Sequence, residues 1–266
     1  MGNQRSSSID GLSAERILEK IQLNRYNINE SDENSLLQYL ENGYCMINGL
    51  LRRLLSTDDE YSEIDDIFTE HPLQLTKVWN DTVNLVSLSV ENNPAQIYLG
   101  NWLGQLLKNG DSYIKVYRGQ RELFFDKEHN IINNSLVSTS FDIEDAVEFS
   151  SGILLEIRLP IKALLQEPVW IPSGYISDKL YTSVGKCERS ELILPYNTRL
   201  RILYNERRVY LKYDNGQFPK IKKPFNFNVI VCEPHFTMPA GTSRLKNRFV
   251  GYKCYIDWIS KIKLLS

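Results

Sequence analysis

The spacing of apolar residues changes at Gly110, and this change constrains the fold more than any other feature of the chain. Before it, apolar residues recur at the three- and four-residue spacing of an amphipathic helix, as they do across Leu36–Met46. After it, apolar and polar residues alternate along Tyr113–Tyr117 and Ile153–Leu159, as they do in a β-strand. The pattern of alternating helices and strands that parallel crossovers require does not occur. The sequence therefore predicts an α+β fold with a mostly antiparallel sheet.

Capping residues and turn residues set the predicted limits of these elements. Ser13 and Ser31 can each cap a helix, and a further helix is predicted to begin at Asn93-Pro94. One short helix, capped by Asp142 and expected to bury Phe149, is predicted among the strands. The other predicted strands are Ser135 to Ser140, Glu191 to Leu194, Arg199 to Tyr204, Val209 to Tyr213 and Phe225 to Cys232.

Charge is distributed unevenly between the two predicted parts, an N-terminal helical lobe of residues 1–110 and a core of residues 111–266. The lobe carries 8 Lys and Arg against 16 Asp and Glu, whereas residues 201–266 carry 13 against 4. The formal net charge of the whole chain is only −2. The acidic lobe and the basic C-terminal region can attract each other across an internal interface, or each can face a separate partner.

Several classes of protein are excluded by what the sequence lacks. The cysteines show no Cys-x-x-Cys spacing and the three histidines lie far apart, so no metal site is predicted. No run approaches the roughly 18 apolar residues of a membrane-spanning helix. No Gly-rich dinucleotide fingerprint or phosphate loop occurs, which argues against a dehydrogenase or a nucleotide triphosphatase. Four cysteines in 266 residues fit a reducing compartment, and we expect a soluble protein of the cytoplasm.

The N-terminus carries a pattern for lipid modification. Removal of Met1 would expose Gly2, and Ser6 completes the pattern for N-myristoylation, a eukaryotic modification. Because a single acyl chain anchors a protein only weakly, the pattern predicts reversible membrane contact.

Three short stretches, each on a predicted strand, carry the chemistry. The first is Val116–Gly119, the second is Leu136–Ser140 followed by the short helix, and the third is Ser190–Ile202, in which an acidic residue precedes an apolar run, a proline and the next strand. In this order and spacing they resemble the arginine-serine-glutamate, cholera-toxin-like class of mono-ADP-ribosyltransferases. The resemblance implies that family's split antiparallel sheet, with a helical lobe in front of it. It also implies that NAD⁺ is consumed as a substrate, without a prosthetic group.

Each residue type suits its implied role. Arg118 can bind the two phosphates of NAD⁺ in a bidentate manner, which lysine cannot do equally well. Loss of nicotinamide develops positive charge on the ribose, so the carboxylate of Glu191 would stabilise the transition state. The resemblance implies that Ser138 helps to position this glutamate. It also places Thr139 and Ser140 in the NAD⁺ site. Gly119 is expected to let the backbone approach the nicotinamide closely.

The third motif departs from the family at the residue two positions before Glu191. Arginine-modifying members have a second glutamate there and asparagine-modifying members have glutamine, whereas this chain has Arg189. An arginine would suit an acidic or phosphate-bearing acceptor, unless Glu188 reaches the same face through a bulge. The preceding loop contains Tyr181 and corresponds to the family's acceptor-reading loop, but its sequence does not identify the acceptor.

Two other functions compete with transfer of ADP-ribose to a protein. In an NAD⁺ glycohydrolase, water would replace the protein acceptor at the same site. In a binding module without catalysis, the basic C-terminal region would hold nucleic acid or anionic lipid, as basic residues interleaved with aromatic ones can. We expect this region instead to form a strand-rich edge packed on the acidic lobe, and we do not expect nucleic acid as a partner.

Overall fold

The structure is a computed structural model. It describes residues 30–55, 63–90, 108, 113–161, 171–172, 191–213, 222–235 and 242–265. The following predicted features lie outside these residues: the lipidation site at Gly2, the helices beginning after Ser13 and at Asn93, and the acceptor-side residues Tyr181, Glu188 and Arg189.

The N-terminal part is helical, as predicted. Its helices are α1 (Glu30–Gln38), α2 (Tyr44–Leu55), α3 (Glu63–Glu70) and α4 (Pro72–Val90). The buried face of α2 repeats at helical spacing, through Ile47, Leu50, Leu51 and Leu54. Pro72 occupies the first turn of α4, where its missing N–H costs no hydrogen bond. The boundary of the lobe at residue 110 stays a prediction.

A π-helical turn, Tyr39–Gly43, joins α1 to α2. Gly43 permits this turn, because a Cβ atom at that position would lie 2.5 Å from the carbonyl oxygen of Gln38. The sequence analysis predicted one uninterrupted helix here. Single π turns within helices are often found at functional sites.

The strands of the described residues form one eight-stranded sheet in the order β2-β7-β8-β4-β1-β3-β6-β5. Their bounds are β1 (Tyr113–Gln120), β2 (Ile131–Asn133), β3 (Val137–Ser140), β4 (Ile153–Pro160), β5 (Ile171–Pro172), β6 (Glu191–Leu194), β7 (Thr198–Tyr213) and β8 (Lys222–His235). Only the pair β4–β8 is parallel among these strands. The predicted α+β fold with a mostly antiparallel sheet is confirmed.

The strands β1 and β3 are joined by a single pair of opposite residues, Tyr117 and Ser140, which is the fewest of any two neighbouring strands in the described sheet. On one side of this point β1 pairs with β4 along its whole length, and on the other β3 pairs with β6. The helix α5 (Ile143–Phe149) follows β3, and the side chain of Asp142 caps it by accepting a hydrogen bond from the N–H of Glu144 at 2.9 Å. The three predicted functional strands therefore adjoin one another beside a capped helix.

Two predictions about single elements are wrong. Phe149 is not buried, since 77% of it is exposed. The strands predicted at Arg199 to Tyr204 and Val209 to Tyr213 are one 16-residue strand, β7, with an irregularity between Ile202 and Tyr204. The polar residues between the predicted strands hid this continuity, because that stretch of β7 is mostly exposed and needs no apolar alternation.

The prediction that only one short helix interrupts the C-terminal strands is also wrong. Residues Thr242–Leu265 form a 24-residue helix, α6. Its buried residues Leu245, Phe249, Tyr252 and Ile256 repeat at helical spacing. The β-branched and aromatic residues among them, which are common in strands, obscured this pattern. The basic C-terminal region thus packs on the acidic lobe through a helix rather than through a strand edge.

Candidate active site

The structure brings the strands of all three motifs together around β3. Ser140 lies opposite Tyr117 of β1 on one side and opposite Glu191 of β6 on the other. Arg118 is the next residue along β1, and Ser138 lies two residues before Ser140. One end of the short strand β3 therefore lies beside both the arginine and the glutamate.

Arg118 has guanidinium donors that the fold does not fully use. Its Nη1 donates a hydrogen bond of 2.7 Å to the carbonyl oxygen of Ser138. Its Nε is buried, without a hydrogen-bond partner among the described residues. A buried donor without a partner is costly, and a guanidinium of this kind is suited to a phosphate oxygen.

The charges around Arg118 come from both the sheet and the helical lobe. Burial lowers the pKa of the Arg118 guanidinium, Tyr39 and the negative charge of Glu191 raise it, and the nearby positive charge of Arg52 lowers it again. The guanidinium is charged in the physiological range all the same. These effects place Arg118, Glu191 and two lobe residues within electrostatic reach of one another.

Ser138 is held by the helical lobe. Its Oγ lies 2.9 Å from the hydroxyl of Tyr39, which is 1% exposed. The Nδ2 of Asn48 donates to the same Tyr39 hydroxyl at 3.2 Å, and the Oδ1 of Asn48 accepts from the N–H of Leu136 at 3.0 Å. Two side chains of the lobe therefore fix the strand that carries Ser138.

Glu191 is the first residue of β6 and is half-buried. Its charge raises the pKa of both Tyr39 and Arg118, so its carboxylate is within electrostatic reach of each of them. Arg118, Ser138 and Glu191 thus lie in the same part of the sheet. Their roles in a reaction stay predictions.

Gly119 has a structural purpose besides the one predicted. A Cβ atom there would lie 2.2 Å from the carbonyl oxygen of Ala146 and 2.6 Å from the N–H nitrogen of Ser150. The missing side chain therefore makes room for the backbone of α5 and of the residue after it. Its close approach to nicotinamide stays a prediction.

The hydroxyl groups of Thr139 and Ser140 are used within the fold. Thr139 is buried and donates to the carbonyl oxygen of Leu192 at 2.7 Å, which joins β3 to β6. The Oγ of Ser140 accepts from the N–H of Asp142 at 2.9 Å and donates to Asp145 at 3.0 Å. Contact of these two residues with NAD⁺ stays a prediction.

Sequence reasoning missed Tyr39 and Asn48. Tyr39 fits the apolar pattern of a helix, so nothing in the sequence separates it from an ordinary core residue. Asn48 did carry a signal, because it is a polar residue between Ile47 and Leu50 on the buried face of α2. A buried amide needs hydrogen-bond partners, so its presence indicated a specific contact.

Neither a metal site nor a membrane span is found in the part of the chain that the structure describes. Its His, Cys, Asp and Glu residues form no group that could hold a metal ion. Within the same residues, no helix combines the length and the apolar character needed to cross a membrane.

No protein-family model and no curated protein sequence matches the chain. Solved structures of similar fold do match. The Vis toxin of Vibrio splendidus, an ADP-ribosyltransferase, shares 15% identity over 88% of both chains, with a TM-score of 0.46. The ADP-ribosylating toxin BECa of C. perfringens, solved with NADH, shares 13% identity over 84% of this chain and 48% of its own, with a TM-score of 0.46. The eukaryotic mono-ADP-ribosyltransferase ART2.2 shares 16% identity over 87% of this chain and 79% of its own, with a TM-score of 0.40. This chain therefore spans about half the length of BECa.

Proposed function

We propose that the protein is a mono-ADP-ribosyltransferase that moves ADP-ribose from NAD⁺ to a protein side chain and releases nicotinamide. One observation supports the proposal above all others. The Arg118 guanidinium, with a buried N–H that lacks a partner among the described residues, is hydrogen-bonded to the strand of Ser138 and lies within electrostatic reach of the Glu191 carboxylate. A cation suited to a diphosphate next to an anion suited to a cationic sugar is the pair of charges that this reaction needs.

Arg118 binds and orients NAD⁺ in this proposal. Its guanidinium is fixed by the hydrogen bond to the carbonyl oxygen of Ser138, so its other donors keep a constant direction. They would bind oxygens of the pyrophosphate and hold the nicotinamide ribose near Glu191. Fixed positioning of this kind reduces the entropy that the reaction must otherwise lose.

Glu191 stabilises the transition state. The bond between C1 of the ribose and the ring nitrogen of nicotinamide breaks, and its electron pair goes to the nicotinamide. The ribose becomes cationic, and the carboxylate stabilises this charge more strongly than it stabilises neutral ribose. The acceptor atom then forms a bond to C1 and gives up its proton to solvent or to a base.

The acceptor side of the site depends on the segment before β6. We propose that Arg189, two residues before Glu191, favours an acidic or phosphate-bearing acceptor. If Glu188 takes that position, an arginine acceptor would be favoured instead. Tyr181 is a further residue of this segment that would contact the acceptor protein.

Labelled NAD⁺ incubated with eukaryotic lysate tests the proposed function. We expect wild type to label protein and Glu191→Gln to lose on the order of a thousandfold in rate, because the charge at the ribose is removed. Glu63→Gln, a change of an exposed glutamate in α3, is the matched control and should behave as wild type. If Glu191→Gln labelled protein as fast as wild type, the proposed role of Glu191 would be refuted. Release of nicotinamide without label in any protein would identify a glycohydrolase that uses the same residues.

We also propose that Gly2 is myristoylated and gives reversible contact with membranes of a eukaryotic cytoplasm. The pattern from Met1 to Ser6 supports it. Expression in eukaryotic cells with a clickable myristate analogue should label wild type but not Gly2→Ala. An unlabelled wild-type protein would refute the modification.

A further inference from the structure

We propose that Tyr39 and Asn48 of the helical lobe form a positioning pair that orients the hydroxyl of Ser138 for the reaction. The inference rests on the proposed function, because Ser138 acts at the ribose only if the protein cleaves NAD⁺. It assigns to the lobe a part in the active site that lies outside the three strand motifs.

A continuous series of hydrogen bonds runs from the lobe to β3. The hydroxyl of Tyr39 lies 2.9 Å from Ser138 Oγ and receives a hydrogen bond of 3.2 Å from Asn48 Nδ2. Asn48 in turn accepts a hydrogen bond of 3.0 Å from the N–H of Leu136. Tyr39 and Asn48 are both buried, so water does not compete for these contacts.

The partners in these contacts also determine which group donates the hydrogen. The N–H of Leu136 is a donor only, so the Asn48 amide must turn its oxygen towards Leu136 and its nitrogen towards Tyr39. The Tyr39 oxygen therefore accepts from Asn48, and its own hydrogen is available for donation to Ser138 Oγ. Ser138 then keeps its own hydrogen for an acceptor on the side of Glu191 and the substrate.

The surroundings keep Tyr39 in the protonated form that this direction requires. Burial and the negative charge of Glu191 raise the pKa of Tyr39 to about 12, although the hydrogen bond from Asn48 and the charge of Arg118 act in the opposite sense. The phenol is therefore a donor throughout the physiological pH range.

The backbone of the lobe sets the position of Tyr39. Tyr39 begins the π turn and Gly43 ends it. Gly43 lies so close to the Gln38 carbonyl that a side chain would not fit at this position. A π turn shifts the residues before it relative to the regular helix that follows. This turn therefore sets the direction from which Tyr39 reaches Ser138, while Asn48 reaches Tyr39 from α2.

Tyr39→Phe tests the pair, because it removes only the hydroxyl. We expect kcat for nicotinamide release to fall roughly tenfold while KM for NAD⁺ changes little, since the hydroxyl orients a reacting group rather than binding the substrate. In a Ser138→Ala background the same change should have no further effect on kcat, because the group that Tyr39 orients is gone. Unchanged kcat in Tyr39→Phe would overturn the inference, and so would an equal loss in the Ser138→Ala background.

Tyr252→Phe is the matched control. It removes another buried phenol hydroxyl of the helical part, one that donates to Asp65 at 2.6 Å. Both variants should unfold at lower urea concentration than wild type, but only Tyr39→Phe should lower kcat. A parallel fall of kcat in both variants would mean that lost stability is the cause, which would overturn the inference. A wild-type protein that releases no nicotinamide would refute the proposed function itself, a result visible before any variant is compared.

Discussion

At the scale of single residues, the site is defined by groups whose hydrogen-bonding capacity exceeds what the fold uses. Thr139 and Ser140 direct their hydroxyls to neighbouring strands and to α5, and so contribute to the framework. Arg118 instead retains a buried N–H without a partner in the described residues. Since unpaired buried donors are rare, a ligand that accepts from this N–H would bind more tightly.

Arg118→Lys should therefore damage NAD⁺ binding although it keeps the charge. Lysine has one ammonium group and cannot bind two oxygens in the planar geometry of a guanidinium, so kcat/KM should fall on the order of tenfold to a hundredfold, mainly through KM. Steady-state nicotinamide release measures this. Arg121→Lys is the matched control, because Arg121 is exposed just after β1. If both variants had the same KM, Arg118 would not bind the pyrophosphate.

A second residue-scale prediction concerns Gly119. Gly119→Ala places a Cβ atom against the backbone of Ala146 and Ser150, so it should cost about 1–3 kcal/mol of the free energy of unfolding. Gly251→Ala is the control, because a Cβ atom in that turn of α6 meets nothing within 4 Å and should stabilise the helix by about 0.5–1 kcal/mol. Urea unfolding compares the two variants. A neutral Gly119→Ala would mean that α5 does not pack this closely.

Gly119 also shows how far sequence reasoning can go at this scale. The pattern identified the right residue, since motifs are local in the sequence. It did not indicate the contact with α5, because α5 comes to lie against Gly119 only after the chain has folded back on itself. Tyr39 could not be found at all, because its partner Ser138 is 99 residues away in the sequence.

At the scale of elements, short-range signals predicted well and long-range packing did not. The limits of β6 and the cap of α5 follow from a run of apolar residues and one aspartate, and both are confirmed. The helix α6 was missed although its buried residues have helical spacing. Whether this segment forms a helix or a strand depends on its packing against the lobe. Phe249 stacks there on Trp79, with ring centroids 4.1 Å apart.

Asp65 connects the helices of this part, and its loss should be severe. It is fully buried, receives two hydrogen bonds of 3.2 Å from Nε of Arg53 in α2, and accepts another of 2.6 Å from Tyr252 in α6. Asp65→Ala should cost about 3–5 kcal/mol, because it removes a buried carboxylate that is hydrogen-bonded to both Arg53 and Tyr252. Urea unfolding measures the loss, with Glu63→Ala in the same helix as the exposed control. Equal midpoints would show that α6 docks without this contact.

At the scale of the whole molecule, the lobe and the sheet form a single core. The main hydrophobic cluster includes Leu50 of α2, Val116 of β1, Leu192 of β6 and Ile256 of α6. A core shared in this way transmits changes between the lobe and the site. The change of apolar spacing at Gly110 predicted a helical part and a strand-rich part. It did not predict that the two parts would pack together around Ser138.

Because Tyr39 is buried between the lobe and β3, the free energy of unfolding should depend on pH in the alkaline range. Its phenol lies between the lobe and β3, and there burial raises its pKa from 10.0 to about 12. Below pH 10 the folded and unfolded chains both hold this proton. Between about pH 10 and 12 the unfolded chain loses it while the folded chain keeps it. The folded state therefore loses stability as pH rises through this range, by roughly 1.4 kcal/mol for each pH unit.

Tyr39→Phe should remove this part of the pH dependence. At pH 9 the variant should be less stable than wild type by about 1 kcal/mol, the usual net contribution of a hydrogen bond. From pH 10 to 12 wild type should lose on the order of 2 kcal/mol more than the variant, so that the difference between them disappears or changes sign. Urea unfolding followed by circular dichroism at pH 9, 10, 11 and 12 measures both proteins, and the difference cancels the contributions of the other tyrosines, which the two share. A constant difference across this range would mean that the Tyr39 phenol is open to solvent, and the lobe would then not be closed over Ser138.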